Sequence, residues 1–402
     1  MSNRVVITGL GVISSIGIGW EEFWDNLLKG KSGISPVSSF DTSAHFTHNG
    51  GEVKNFKPED FIPRERLPFM NRSTQMALAA AKLAIEDANL NLGNLTNYKV
   101  GTSHGTTFGT VQAIEEINNF AVSNQEISKS LFYQLPTHSA PSAIAEEFKS
   151  NGPNFMFSTA CAAGNYAVAY GYDLIRLNRA DIVLAGASDP FSRIEYTGFN
   201  QFSAVAPEKC QPFDKNRKGM MVAEGAGVLI LETLENALRR NAPIYAEILG
   251  YGLSCDAKHM TNPSVEGIAA CMRKAMKEAG ITIEDVDYIS AHGTGTQAND
   301  RTECAAIKEV FGPRYKKIPV SSIKSMLGHT MGAASALEAI ACALAVKNNM
   351  IPPTINFETP DPECDIDCVP NKARRHIVNI ALNNSFAFGG NNACLVMKKF
   401  IK

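Results

Sequence analysis

Several features that would assign this chain to a simple class are missing from its 402 residues. The formal net charge is only −2, so no general attraction to nucleic acid is expected. No apolar run approaches the ~18 residues that are needed to span a bilayer. The first residues, MSNRVVITGLG, contain too short an apolar stretch for a signal peptide. We therefore expect a soluble, cytoplasmic protein with no nucleic-acid partner and no membrane span.

A disulfide framework is also missing. The nine cysteines are odd in number and are scattered without regular spacing, which favours a reducing compartment. Cys364 and Cys368 are neighbours in an acidic stretch, but a zinc site would need closer spacing and further ligands. We interpret both as structural and predict no metal site.

No low-complexity linker divides the chain, although its two halves repeat one order of elements. Each half begins with an apolar strand that ends near a glycine, and each later contains a helix rich in small residues. We predict an internal duplication, with halves 1–240 and 241–402 that form one intimate unit. The alternation of strands and helices predicts an α/β protein in which helices pack on sheets. The small-residue helices, 162–176 and 332–346, are expected between two sheets.

Local signals place several other elements. Residues 20–29 have the pattern of an amphipathic helix that ends near Gly30. Residues 73–89 predict a second helix, with Ser73 as the candidate N-cap. Residues 187–221 are expected to form a long, irregular insertion.

The candidate nucleophile is Cys161, which lies in the stretch STACAAG at 158–164. An apolar run ends there, and very small residues lead into a helix. The unpaired amides and the dipole at a helix N-terminus stabilise a thiolate, which is the nucleophilic form of cysteine. Nearby N–H groups can hold an oxyanion. The stretch taken alone is equally typical of a buried, inert cysteine.

Two further turns carry polar side chains at strand ends. His292 enters the turn AHGTGT, and Lys324 and His329 lie in SSIKSMLGHTMGAA. Burying a lysine is costly unless it is paired, and Glu338 is the candidate partner. The alternatives are a core histidine that is satisfied by backbone groups and a lysine on a surface loop.

A glycine-rich turn near the C-terminus, NNSFAFGGNN, contains Phe386 and Phe388. The two rings either line an apolar slot or belong to the core of a hairpin. One cysteine, two histidines and one lysine in small-residue turns suit acyl transfer to a thiol, followed by attack of a carbanion.

Taken together, the motifs resemble those of the β-ketoacyl-acyl-carrier-protein synthases, most closely the type II elongating enzymes. The patterns TACxxG, AHGTxT, SxKSxxGHxxGAA and NSFxFGGxN occur here in the order of that family. The resemblance covers essentially the whole chain. It implies the thiolase fold, which is a duplicated, five-layered αβαβα core, and a homodimer. It also implies an acyltransferase that needs no metal and no organic cofactor.

The resemblance implies roles for individual residues. Cys161 matches the acyl-accepting nucleophile, and His292 and His329 match the pair that drives malonyl decarboxylation. Lys324 matches the lysine that supports this pair, with Glu338 as its acidic partner. The backbone N–H groups of Cys161 and Phe388 would form the oxyanion hole. The implied substrate contacts are Thr261, Thr294, Thr296, Phe108, Phe386 and Phe388, of which Phe108 would close the far end of the acyl tunnel.

The implied reaction condenses an acyl thioester on Cys161 with malonyl-acyl-carrier protein, in fatty-acid elongation. The products would be 3-oxoacyl-acyl-carrier protein and carbon dioxide, and the acyl carrier protein would be the macromolecular partner. The alternative is a ketosynthase of a specialised lipid or polyketide pathway. A thiolase would need a second cysteine near Phe388, His329 argues against the Cys-His-Asn enzymes, and a non-catalytic partner subunit would lack Cys161.

Three departures from the family pattern affect these expectations. Ala387 stands where a glycine is usual between the two phenylalanines, and Ala163 stands where Ser or Thr is usual. The stretch 135–141, in the family's dimer-contact region, is expected to be shortened.

Overall fold

The computed structural model describes residues 3–91 and 98–401. Its strands are β1 Val5–Ser14, β2 Gly17–Ile18, β3 Ser35–Pro36, β4 Asn49–Gly50, β5 Val100–Gly105, β6 Asn154–Phe157, β7 Ile182–Asp189, β8 Gly225–Thr233, β9 Ala246–Cys255, β10 Tyr288–Ser290, β11 Val320–Ser321, β12 Met350–Ile351, β13 Arg374–Arg375, β14 Ile380–Phe386 and β15 Asn391–Lys398. Its α-helices are α1 Trp20–Lys29, α2 Arg72–Asp87, α3 Val111–Val122, α4 Lys129–Tyr133, α5 Ser139–Phe148, α6 Ala163–Arg176, α7 Arg193–Gln201, α8 Leu234–Arg239, α9 Val265–Ala279, α10 Gln297–Phe311, α11 Lys324–Leu327 and α12 Gly332–Asn348.

The main sheet has the strand order β11-β10-β14-β15-β9-β1-β8-β7-β5-β6, and β2 pairs with β1. Its two halves meet where β1 pairs with β9 over Val5–Ile7. Outwards from this junction, each half contains two antiparallel pairings followed by two parallel pairings. The halves therefore repeat one topology, and the predicted duplication is confirmed. The boundary between residues 240 and 241 stays a prediction.

The helices complete five layers. Helices α6 and α12 pack on each other and contact strands of both halves, whereas α2 and α5 cover one outer face and α9 and α10 the other. Every residue of α12 from Gly332 to Val346 is buried. A Cβ atom at Gly164 would lie 2.6 Å from the backbone nitrogen of Ala336, so only glycine permits this close approach of α6 and α12. The αβαβα fold predicted from the resemblance is confirmed.

Two local predictions are wrong. Helix α2 is capped by Asn71, whose side chain accepts a hydrogen bond from the N–H of Thr74 at 2.9 Å. Ser73 lies inside the helix, and its hydroxyl contacts the hydroxyl of Ser188 at 2.8 Å. The supposed irregular insertion contains α7, which Ser192 caps at its N-terminus. This helix is short and contains Gly198 and two aromatic residues, Tyr196 and Phe199, which have low helix propensity, so its sequence gives little helical signal.

Other features agree with expectation. Helix α1 ends at Lys29, followed by Gly30 with φ of 67°. All nine cysteines are free, and both Cys364 and Cys368 are buried. Within the described part of the chain, no helix is both long enough and apolar enough to cross a membrane.

Candidate active site

Cys161 lies in a tight turn between β6 and the central helix α6. The turn Ala160–Ala162 is one turn of 3₁₀ helix, and Ala160 has φ of 47°. This left-handed conformation costs an alanine ~1–2 kcal/mol. The hydroxyl of Ser385 on β14 donates a hydrogen bond to the carbonyl oxygen of Cys161 at 2.9 Å. The second half of the chain therefore helps to hold the strained turn of the first.

The thiol of Cys161 is protonated in this environment. Burial raises its pKa to about 12, although Lys324 and the backbone N–H groups of Cys161 and Phe388 act in the opposite direction. The N–H groups therefore stabilise the thiolate, as expected at a helix terminus, but desolvation outweighs this effect. The same two N–H groups are the pair that the resemblance assigns to the oxyanion hole.

Two histidines lie beside this thiol. The Sγ atom of Cys161 and one ring nitrogen each of His292 and His329 lie within 4.8 Å of one another. The two imidazole rings have centroids 5.4 Å apart and are nearly perpendicular. The turns that precede α12 and follow β10 thus bring His329 and His292 to the start of α6.

Each histidine has its Nδ1 atom occupied. The N–H of Met331 donates to Nδ1 of His329 at 3.1 Å, so a neutral His329 carries its proton on Nε2. The Nζ of Lys324 lies 3.4 Å from Nδ1 of His292, which favours the same tautomer there. Burial and the charge of Lys324 hold the pKa of both histidines well below the usual range. Both rings are therefore neutral and offer an Nε2–H donor.

Behind His292 lies a buried ion pair. Lys324 forms this pair with Glu338, and each side chain is only 1% exposed. Burial raises the pKa of Glu338 to about 7, against the opposing effect of Lys324. A buried pair of this kind contributes little net stability, so its main effect is the fixed positive charge beside His292.

Cys161, His292 and His329 border a cavity of about 330 Å³, whereas Lys324 and Glu338 do not line it. The expected site residues in its lining are Cys161, His292, His329, Thr261, Thr294, Thr296, Phe386 and Phe388. Phe108 does not line it. Its ring packs nearly perpendicular to that of Phe199, with centroids 6.3 Å apart, and Phe199 in turn lies 6.2 Å from Phe388.

The sequence analysis did not identify Asp189. This buried residue ends β7, and its carboxylate accepts hydrogen bonds from the backbone N–H groups of Thr107, Phe108 and Gly109. It also accepts one from Gly332, the first residue of α12, at 2.7 Å. Asp189 therefore ties the loop of Phe108 to the turn of His329. The available signal was an acidic residue at the end of a buried strand.

Glu303 was missed for a different reason. Its buried carboxylate accepts from the N–H groups of His292 and Gly293, at 2.9 and 2.8 Å. Burial raises its pKa to about 7. Glu303 positions the turn of His292, but it lies within a helix whose other polar residues conceal it.

This duplicated fold, with one thiol and two imidazoles at the central helices, is that of the thiolase-like condensing enzymes. Residues 2–237 match the family model described as "Beta-ketoacyl synthase, N-terminal domain", and residues 245–358 match the C-terminal domain of the same family. The chain belongs to the β-ketoacyl synthase family and is a condensing enzyme of the acyltransferase class.

Similar proteins span the whole chain. It is 39% identical to 3-oxoacyl-[acyl-carrier-protein] synthase 2 of Synechocystis sp., over 99% of this chain and 98% of that protein. The ishigamide ketosynthase/chain length factor structure is 44% identical, with a TM-score of 0.97 and full coverage of both chains. A type II PKS ketosynthase, solved with its acyl-carrier protein and bound to the hexaketide, is 34% identical, with a TM-score of 0.92 and full coverage of both chains.

Proposed function

We propose that the chain elongates fatty acids by condensing an acyl group on Cys161 with malonyl-acyl-carrier protein. The observation that carries this proposal is the pair of neutral Nε2–H donors, on His292 and His329, beside one buried thiol. Similarity to 3-oxoacyl-[acyl-carrier-protein] synthase 2 supports the fatty-acid pathway.

The first step is acyl transfer to the thiol. The Sγ atom of Cys161 attacks the acyl thioester of the carrier, the bond from the acyl carbon to the carrier sulfur breaks, the thiol proton moves to that leaving sulfur, and a new thioester forms on Cys161. The N–H groups of Cys161 and Phe388 hold the oxyanion of the tetrahedral intermediate. Since the thiol is neutral at rest, the proton must move while the bond to carbon forms.

The second step is decarboxylation and condensation. The malonyl thioester oxygen accepts hydrogen bonds from Nε2–H of His292 and His329. The bond between the malonyl carbon and its carboxylate breaks, carbon dioxide leaves, and the electron pair of that bond remains as an enolate. The enolate carbon attacks the thioester on Cys161, the bond from the acyl carbon to Sγ breaks, and the released thiolate takes up a proton from solvent. Two donors help because negative charge accumulates on this oxygen only as the transition state is reached.

We propose that neither a metal nor an organic cofactor takes part. The spacing of Cys161, His292 and His329 would suit a metal ion, but the charge of Lys324, 3.4 Å from His292, opposes a second cation there. Full activity after exhaustive chelation, with no metal found by elemental analysis, is expected. Loss of activity that zinc restores would contradict this.

The acyl carrier protein is the proposed macromolecular partner. Phe202 and Met260 are exposed and line the cavity, and Lys218 lines it beside them. Within the described residues, Lys218 forms no ion pair. Carrier proteins of this kind are acidic, so Lys218→Glu should weaken carrier binding, and salt should weaken it in the unmodified chain.

We further propose a homodimer in the cytoplasm. Strand β6 is an edge strand of the main sheet and carries exposed Phe155, and helix α4 carries exposed Phe132 and Tyr133. An unpaired edge with apolar side chains favours pairing with a second copy. Sedimentation should give a dimer, and Phe155→Lys should shift it towards monomer. The nine free cysteines suit a reducing compartment.

A specialised pathway is the second candidate. It is favoured by the identity of 44% and TM-score of 0.97 with the ishigamide ketosynthase/chain length factor. A panel of acyl carriers that differ in length and functional groups separates the two candidates. Fatty-acid elongation predicts turnover of plain saturated chains over a range of lengths.

Intact-mass measurement tests the chemistry common to both candidates. One acyl adduct is expected on the unmodified chain and none on Cys161→Ser. An adduct that persists in this variant would refute Cys161 as the nucleophile.

A further inference from the structure

Among the residues that the structure describes, Glu195 is a buried acid whose carboxyl forms no hydrogen bond. It lies in the first turn of α7 and is only 1% exposed. Neither of its carboxyl oxygens has a hydrogen-bond partner among residues 3–91 and 98–401. An unpaired buried polar group costs ~1–3 kcal/mol, whereas a methionine of similar size would avoid that cost. The position therefore fits a hydrogen-bond partner that the described part of the chain does not supply.

The surroundings keep this carboxyl neutral. Burial and the nearby carboxylates of Asp189 and Glu224 hold the pKa of Glu195 well above its usual range. Those two carboxylates already have partners, because Asp189 accepts backbone N–H groups and Glu224 pairs with Arg72 at 2.6 Å. A neutral carboxyl has an O–H donor as well as an acceptor, so it can bind an uncharged oxygen of a ligand.

Helix geometry places Glu195 on the same face of α7 as a residue that lines the cavity of Cys161. Residues four apart lie on one face of a helix, so Glu195 shares its face with Phe199. Phe199 lines the cavity of Cys161 and packs against both Phe108 and Phe388. Glu195 itself does not line this cavity, whereas Phe199, four residues further along the same helix, does. Asp189, whose charge acts on Glu195, binds the N–H of Phe108 at 2.7 Å.

We propose that Glu195 binds an oxygen atom of the acyl chain after that chain has displaced the aromatic pair Phe108–Phe199. The preferred acyl groups then carry a keto or hydroxyl oxygen at a fixed distance from the thioester. This inference rests on the proposed acylation of Cys161, and it favours the second candidate function, a specialised pathway, over elongation of plain saturated chains.

The test is a set of synthetic acyl carriers of equal chain length. One member has a plain alkyl chain, and in the others a single keto oxygen moves one carbon at a time along the chain. Single-turnover acylation of Cys161 is followed by intact mass. We expect one oxygen position to react about tenfold faster than the plain chain, which corresponds to ~1.4 kcal/mol.

Two variants identify the group responsible. Glu195→Gln keeps an uncharged donor and should keep the preference for that oxygen position. Glu195→Met should lose the preference and accept the plain chain at least as well as before. Tyr196→Phe is the matched control, because the Tyr196 hydroxyl bonds Thr47 and the carbonyl of Asn49 on another face of α7. This control should behave as the unmodified chain.

The outcomes separate this inference from the function on which it rests. If no acyl carrier labels Cys161 in the unmodified chain, the proposed function fails. If plain and oxygenated chains label it equally at every position, only the role of Glu195 is overturned, whether or not the variants fold. An unchanged preference in folded Glu195→Met would also overturn it.

Discussion

The tripeptide His-Gly-Thr occurs once in each half of the molecule, at 104–106 and 292–294, near the ends of the corresponding strands β5 and β10. His104 is buried with Nε2 2.8 Å from the hydroxyl of Ser188, and burial lowers its pKa to about 3. His292 instead lines the cavity and has Lys324 beside it. The same local sequence therefore gives a core residue in one half and a candidate catalytic residue in the other, depending on what packs against it.

The two central helices, α6 and α12, show the opposite relation, because different side chains in corresponding turns reach the same site. Cys161 precedes α6 and His329 precedes α12, so corresponding turns carry different side chains. Because α6 and α12 pack closely, both side chains reach one cavity. The duplication thus supplies two equivalent helix starts, and the site uses them for a nucleophile and a hydrogen-bond donor.

Alanine substitutions should give the largest difference between the two His-Gly-Thr turns. His292→Ala and His329→Ala should each slow release of carbon dioxide from malonyl carrier by about 10²–10³-fold, the usual effect of removing one oxyanion donor. Acylation of Cys161 should persist in both.

His104→Ala is the control for this comparison. It should retain decarboxylation but unfold at lower denaturant, with a loss of about 1–3 kcal/mol, because the Ser188 hydroxyl loses a partner. Decarboxylation at the unmodified rate in either cavity variant would remove that histidine from the mechanism.

The pH profile of decarboxylation should show how His292 differs from its counterpart His104, because Lys324 lies beside His292. The donor must be a neutral imidazole, and its depressed pKa keeps it neutral well below the ordinary value of 6.5. Replacing Lys324 removes one cause of this depression, so the acid limb of the decarboxylation rate should move to higher pH.

The double variant Lys324→Met/Glu338→Gln makes this measurement without leaving a lone buried charge. Glu338→Gln alone keeps the lysine and is the matched single variant, in which the acid limb should not move to higher pH. An acid limb at the same pH in the double variant and the unmodified chain would show that Lys324 does not set the protonation of His292.

The substitution Phe108→Ala tests whether the acyl chain of the substrate passes between residues of the first half of the molecule. If the chain passes the Phe108–Phe199 pair, Phe108→Ala should accept longer acyl carriers, with a stability loss of roughly 3 kcal/mol at most. The measurement is the length profile of Cys161 acylation. Phe202→Ala, at the exposed mouth, is the control. An unchanged profile in folded Phe108→Ala would place the acyl end elsewhere.

The smallest expected effect concerns the gate in the second half. Ala387 has φ of −98° in this structure, which alanine adopts without strain. If opening requires positive φ there, alanine resists it by roughly 1 kcal/mol, and Ala387→Gly should speed single-turnover acylation about fivefold. Equal rates would mean that the gate moves without this torsion or does not limit transfer.

The sequence alone determined much of the architecture. Apolar runs, helix end signals and the repeated order of elements indicated the duplication, and the resemblance supplied the five layers. The glycine-rich turns drew attention to Cys161, His292, His329 and Lys324. These signals are readable because each depends on residues a few positions apart.

Tertiary structure decided the chemical state of those residues. The high pKa of Cys161, the tautomer of His292 and the placement of Phe108 behind Phe199 all depend on groups far apart in the chain. The same is true of Asp189, which joins the loop of Phe108 to Gly332, a residue 143 positions after Asp189 in the chain. Desolvation and proximity are properties of the packed molecule, and no local pattern encodes them.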